Sequence, residues 1–172
     1  MIRAYLAILA AAQAAQPQPP QMQDAPPVIE LRKADGSLVA RAMIWQAGAG
    51  IEVRVQAAGL PAGHYGVHIH GVGRCEGPAF ASAGPHWNPT GRQHGRLNPA
   101  GHHLGDLDNL DVDEQGAGRL EFTIAGATTS GADGIFDADG AALVIHAAPD
   151  DYRTDPSGNS GNRIACGVLR AN

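Results

Sequence analysis

From Val28 onward, apolar and polar residues alternate in short runs broken by Gly, Asp and Asn. VIELRKA is followed by the turn DGS and then LVARAMIW; GAG leads into IEVRVQAAGL, and PAG into HYGVHIHG. Period-two alternation places one set of side chains on a buried face and the other toward solvent, and the glycine-containing breaks read as hairpin turns. The pattern dissolves after Gly71 and resumes in LDVDEQGAGRLEFTI, two strands about a turn, then in AALVIHAA and RIACGVLR. No segment sustains the 3.6-residue period of an amphipathic helix. The pattern predicts an all-β fold, an antiparallel barrel or sandwich of eight or so strands with Greek-key connections.

Two stretches, residues 72–104 and 148–162, carry no strand pattern and are dense in His, Asp, Arg and Gly. Long structureless loops inside a compact domain are uncommon unless they carry function. Their composition predicts that something other than apolar packing holds them.

Composition narrows the class. A chain of 172 residues suits one domain able to bury its own core. The formal net charge is −5, which argues against a nucleic-acid partner or an anionic-membrane footprint, and Lys33 is the lone lysine. Residues 1–15 read as a signal peptide: a short positive start at Met1–Arg3, the apolar run AYLAILAAA, and the small-x-small pattern AQA at 12–14. The apolar run is too short to span a bilayer as a helix. Residues 16–27, rich in Gln and Pro, read as an extended linker before a domain at 28–172. The expectation is an exported protein, periplasmic if the source is Gram-negative. In an oxidising compartment, the only two cysteines, Cys75 and Cys166, read as one disulfide.

The histidines carry the chemistry. The chain has eight, and His68 and His70 alternate within one strand, so their rings share a face about 6–7 Å apart. His146 lies in the apolar run LVIHAA. Alone it would read as a satisfied core residue; with His68 and His70 on neighbouring strands, the three suit copper or zinc. His86, His94, His103 and Asp106 offer three imidazoles and a carboxylate, a closed tetrahedral shell of the kind that holds a structural zinc. The alternative is a scatter of solvated loop histidines.

GVHIHG, SAGPHWNP, GRQHG, HHLGDLDNL, LVIHAAPDD and GNSGNRIACGV occur in the order and with the character of the copper/zinc superoxide dismutases, and the chain from Val28 onward resembles that family, its bacterial exported members above all. The resemblance implies an eight-stranded antiparallel Greek-key β-barrel with two long functional loops and a copper–zinc pair. It implies that His68, His70, His86 and His146 bind copper, that His86, His94, His103 and Asp106 bind zinc, and that His86 bridges the two. His103 rather than His102 is the ligand because HLGD keeps the family's spacing from histidine to aspartate; His102 becomes a surface residue and His64 a strand-edge one. Asp150 matches a carboxylate that orients His68 and His94, Cys75 and Cys166 match the family disulfide, and Arg163 matches the arginine beside the copper channel. The implied reaction is the disproportionation of superoxide, with Arg163 and His86 as its catalytic residues.

Two departures stand out. Tyr65 occupies a position where many relatives have histidine, and the segment between Cys75 and His86 is of variable length in the family. A metal buffer on the same fold is the main rival, though the full ligand set and the arginine argue for turnover. A blue-copper carrier would need His and Met after the last cysteine, and a zinc hydrolase would need an open zinc position. The oligomeric state stays open between monomer and homodimer, Trp87 reading as a loop packing anchor or, slightly preferred, an interface residue.

Overall fold

The computed structural model describes residues 26–170; the expected signal peptide and most of the linker lie outside them. Nine strands alternate with turns and loops: β1 (Val28–Arg32), β2 (Leu38–Ala47), β3 (Gly50–Ala57), β4 (Gly63–Tyr65), β5 (Val67–His70), β6 (Leu110–Val112), β7 (Arg119–Ala125), β8 (Ala141–His146) and β9 (Arg163–Leu169). The one helical element described is a single 3-10 turn, Ala81–Ala83.

Seven strands form a strongly curled antiparallel sheet in the order β5-β8-β9-β1-β2-β3-β7, and β4 pairs with β6. The two groups are continuous. β4 and β5 are one run of chain interrupted at Gly66, and β6 meets the start of β7 through the bridge Val112↔Gly118. Counting β4 and β5 together gives the eight strands that the pattern predicts. The neighbours β5/β8, β9/β1 and β3/β7 are not consecutive in sequence, which is the Greek-key arrangement.

The break at Gly66 has a steric cause. Its N–H donates to Ala148 O (2.9 Å), and its carbonyl accepts from His146 N (2.8 Å). A Cβ there would lie 2.9 Å from Ser160 Cβ, so only glycine lets the second long loop cross this close.

Alternation places Ile29, Leu31, Ile51, Val53, Val55, Leu143 and Ile145 inside the barrel, where each is nearly or fully buried. Burying an aliphatic side chain of this size contributes about 1.5–3 kcal/mol. β8 is buried on both faces, because Ala142 and Val144 pack in a second, smaller cluster with Phe80, Ala83 and Cys166 on the barrel's outer side. That cluster lies under the first long loop, which the Cys75–Cys166 disulfide ties to β9. The bond expected from the sequence is present. Among the described residues, no helix is long and apolar enough to cross a membrane.

Candidate metal centre

Strand register assembles the first half of the centre. β5 pairs with β8 so that His68 lies opposite Val144 and His70 opposite Ala142, and His146 extends the same outer face toward Gly66. Residues directly opposite in an antiparallel pair share a face. The two strands therefore present His68, His70 and His146 together, and their ring centroids lie 4.7–6.5 Å apart. The first long loop then lays His86 over them; His70 and His86 form a bridge, and the His86 ring centroid is 4.1 Å from that of His68.

Each of these imidazoles is held by one nitrogen and free at the other. His70 Nδ1 donates to Gly84 O (2.8 Å), His146 Nδ1 to Gly161 O (3.2 Å) and His68 Nε2 to Asp150 Oδ2 (2.8 Å). Donation to an oxygen fixes the tautomer, leaving lone pairs on His70 Nε2, His146 Nε2 and His68 Nδ1. Those three nitrogens are buried without a partner. A buried, unpartnered acceptor is costly, and three aimed at one point fit a metal ion. One donor atom from each of His68, His70, His86 and His146 falls within 4.8 Å of the others.

The second half of the centre is tighter. His86, His94 and His103 turn their Nδ1 atoms to Asp106 Oδ1 at 2.8, 3.0 and 3.1 Å, and His103 Nδ1 lies 3.4 Å from His86 Nδ1. A tetrahedron with zinc–ligand bonds of about 2.0–2.1 Å has edges of roughly 3.3–3.4 Å. The His86–His103 spacing matches such an edge and the three spacings to Asp106 fall somewhat inside it, so the four atoms converge closely enough to hold one ion. Asp106 Oδ2 is occupied by the backbone N–H groups of Gly95 (2.9 Å) and His103 (3.1 Å), which aim Oδ1 inward.

Asp150 joins the halves. Its Oδ2 accepts from His68 Nε2 (2.8 Å) and its Oδ1 from His94 Nε2 (3.0 Å), so it orients one ring of each set without entering either. His68, His94 and Asp150 also lie close enough to hold an ion by themselves. The carboxylate, however, meets the outer ring nitrogens and leaves the inward Nδ1 atoms available, which is an orienting role.

Electrostatics favour metal binding in the first set, whereas His94 of the second is held protonated by Asp106 and Asp150 and would have to lose that proton to an incoming ion. Burial pushes His70 down to about 2, His146 to about 3 and His86 to about 4, and lowers His68 as well, so all four rings are neutral near pH 7. Neutral imidazole is the form that binds a metal. For His94, burial works downward but hydrogen bonds to Asp106 and Asp150 outweigh it, raising the ring to about 9. Burial works upward on both carboxyls, yet the surrounding imidazoles hold Asp106 and Asp150 well below the usual carboxylate range.

A cleft of about 980 Å³ opens over the first set, lined by His70, His86, His146, Trp87, Arg92 and Arg163 among others. Arg163 begins β9, and its guanidinium donates to Phe80 O (2.8 Å) and Gly84 O (2.7 Å) of the first long loop. Trp87 is 7% exposed and packs in the barrel's core cluster, which is the packing-anchor role. Tyr65 is buried and donates from its hydroxyl to Pro61 O (2.9 Å), away from the histidines. His102 turns its Nδ1 to His103 O (2.6 Å) and His64 lies exposed on β4; neither joins a metal set. The carbonyls of Phe80, Gly84 and Gly161 went unread in the sequence, because no side chain identifies a backbone acceptor. Asn109 was also missed: its side chain pairs twice with the Asp150 backbone (2.8 and 3.0 Å).

Comparison with known proteins places the chain. Residues 39–169 match the family described as copper/zinc superoxide dismutase (SODC). The chain is 40% identical over 151 residues to superoxide dismutase [Cu-Zn] 2 of Aquifex aeolicus, covering 86% of this chain and 88% of that protein. It is 35% identical over 144 residues to superoxide dismutase [Cu-Zn] of Caulobacter vibrioides, covering 81% and 83%. Among solved structures, a double mutant of a SOD-like protein from Bacillus subtilis superposes with a TM-score of 0.79 at 40% identity, covering 84% of this chain and 97% of that one.

Proposed function

The chain belongs to the copper/zinc superoxide dismutase family, and on that premise we propose that it is an exported enzyme converting two superoxide anions and two protons to oxygen and hydrogen peroxide. The observation that carries the reading is a pair of four-donor sets that share His86. In this reading His68, His70, His86 and His146 hold copper, and His86, His94, His103 and Asp106 hold zinc. Copper held there would supply the one-electron chemistry of the reaction, which no side chain here could do.

The residues around it bind the anion and handle protons. Arg163 is braced by two carbonyls, so its guanidinium meets an anion in the cleft with little further ordering, through charge-assisted hydrogen bonds. His86 is anchored through Nδ1 beside Asp106 and lines the cleft; its Nε2 would be the copper-side donor and, when not on the metal, the atom at which a proton is held for substrate. Asp150 keeps His68 and His94 in register. A zinc ion held by His86, His94, His103 and Asp106 would have four protein ligands and no open position, and would serve structure. Export rests on the sequence of residues 1–15 and suits the disulfide.

The test is superoxide consumption by metal-reconstituted protein, with His146→Ala alongside. Turnover in the parent and its loss in the variant are expected. A parent that binds both metals yet leaves superoxide untouched would be a metal buffer, and the proposal would fall.

A further inference from the structure

Tyr152 does something that neither metal set explains. It is a non-glycine residue at φ 61°, a strained left-handed conformation that persists only when its surroundings enforce it. Four contacts do so. Its N–H donates to Asp150 Oδ1 (2.7 Å), its carbonyl accepts from Leu97 N (2.9 Å) and its hydroxyl accepts from Asn109 N (2.9 Å). Its ring lies beneath the Arg96 guanidinium, 4.1 Å from the centroid, and Arg96 in turn pairs with Asp108 (3.1 Å).

These contacts reach three places at once. Leu97 and Arg96 follow His94 closely in the chain; Asp108 and Asn109 follow Asp106; Asp150 orients His94 itself. The fit is close, since a Cβ on Gly95 would overlap the Tyr152 carbonyl. None of these contacts involves a metal-binding atom.

We propose that Tyr152 is a positioning residue, a clamp that holds the segments carrying His94 and Asp106 in place before any ion binds. This deepens the zinc assignment above and rests on it only for the identity of the ion. A loop ordered in advance has less freedom to lose on binding, so the clamp raises affinity without touching the metal.

The experiment uses the full chain, stripped of metal by a chelator and then titrated with zinc against a chromophoric competitor. Amide exchange is read in the metal-free form. In the parent, the Leu97 and Asn109 amides are expected to be protected without metal. Tyr152→Leu should lose protection at both and release zinc about 10–100-fold more readily. Tyr152→Phe removes only the hydroxyl, so Asn109 should lose protection while Leu97 keeps it; Val53→Ala, a core truncation distant from the site, should leave zinc affinity unchanged. Should Tyr152→Leu fail to fold, Tyr152→Phe and Arg96→Gln make the same test. Unprotected amides in the metal-free parent, or unaltered zinc release in Tyr152→Leu (or, if that variant does not fold, in Tyr152→Phe and Arg96→Gln), would overturn the clamp. A parent that takes up no zinc would instead sink the ion assignment, leaving the exchange pattern to decide the clamp.

Discussion

At the scale of single residues, the bonds of Gly84 bear on what Arg163 contributes. Its carbonyl accepts from both His70 Nδ1 (2.8 Å) and Arg163 Nη2 (2.7 Å), so His70 keeps its anchor when the arginine is removed. Arg163→Ile is therefore expected to retain both metals, measured by elemental analysis, while kcat/KM for superoxide falls about 10-fold or more and loses its salt dependence. Local fields of this kind raise capture rates by roughly 10–10³. Unchanged turnover at low salt would refute the steering argument. That His68, His70 and His146 come together was readable from their spacing and apolar surroundings. Their orientation was not, because it depends on the carbonyls of Gly84 and Gly161, and every residue type carries the same carbonyl.

At the scale of elements, the strands were legible and the loops were legible only in their content. Alternation in VIELR, IEVRV and LEFTI follows directly from one buried face. VHIH and LVIH were harder, since both are buried on both faces. The expected single strand HYGVHIH is broken at Gly66 for the same cause: the second long loop presses against it, and that proximity is not local information. The loop between β8 and β9 depends on another close approach. Gly158 has φ +63°, and a Cβ there would overlap Asp150 Oδ1 and lie 2.7 Å from His94 Nε2. Gly158→Ala is expected to displace Asp150 and weaken zinc binding about 10–100-fold, the usual cost of disturbing a ligand's support. Chelator competition would measure this, and far-UV circular dichroism should show the sheet intact.

At the scale of the molecule, the disulfide and the charge distribution matter most. Cys75 and Cys166 are 91 residues apart in sequence, and the chain-entropy model values such a closure at about 4–5 kcal/mol, with real bridges often giving less. Cys166→Ser is expected to lower the unfolding midpoint of the metal-free protein by about 10–20 °C, read by calorimetry. A shift of only a degree or two would mean that the loop is secured by its hydrogen bonds to β9. Net charge is −5, yet two arginines, Arg92 and Arg163, line the cleft. Attraction of an anion is thus local, and it comes from where the fold puts those two side chains.

The amino-acid sequence by itself determined the antiparallel β architecture, which histidines and carboxylates are candidates to hold metal, and the two loops that carry much of the site. Period-two alternation and side-chain chemistry are local properties, readable without knowing what lies across the barrel. Tertiary structure alone decided which ring nitrogen faces inward, how Asp150 and Tyr152 tie the loops together, and why Trp87 belongs to the core. These depend on distances between segments far apart in the chain, and on backbone groups that every residue shares.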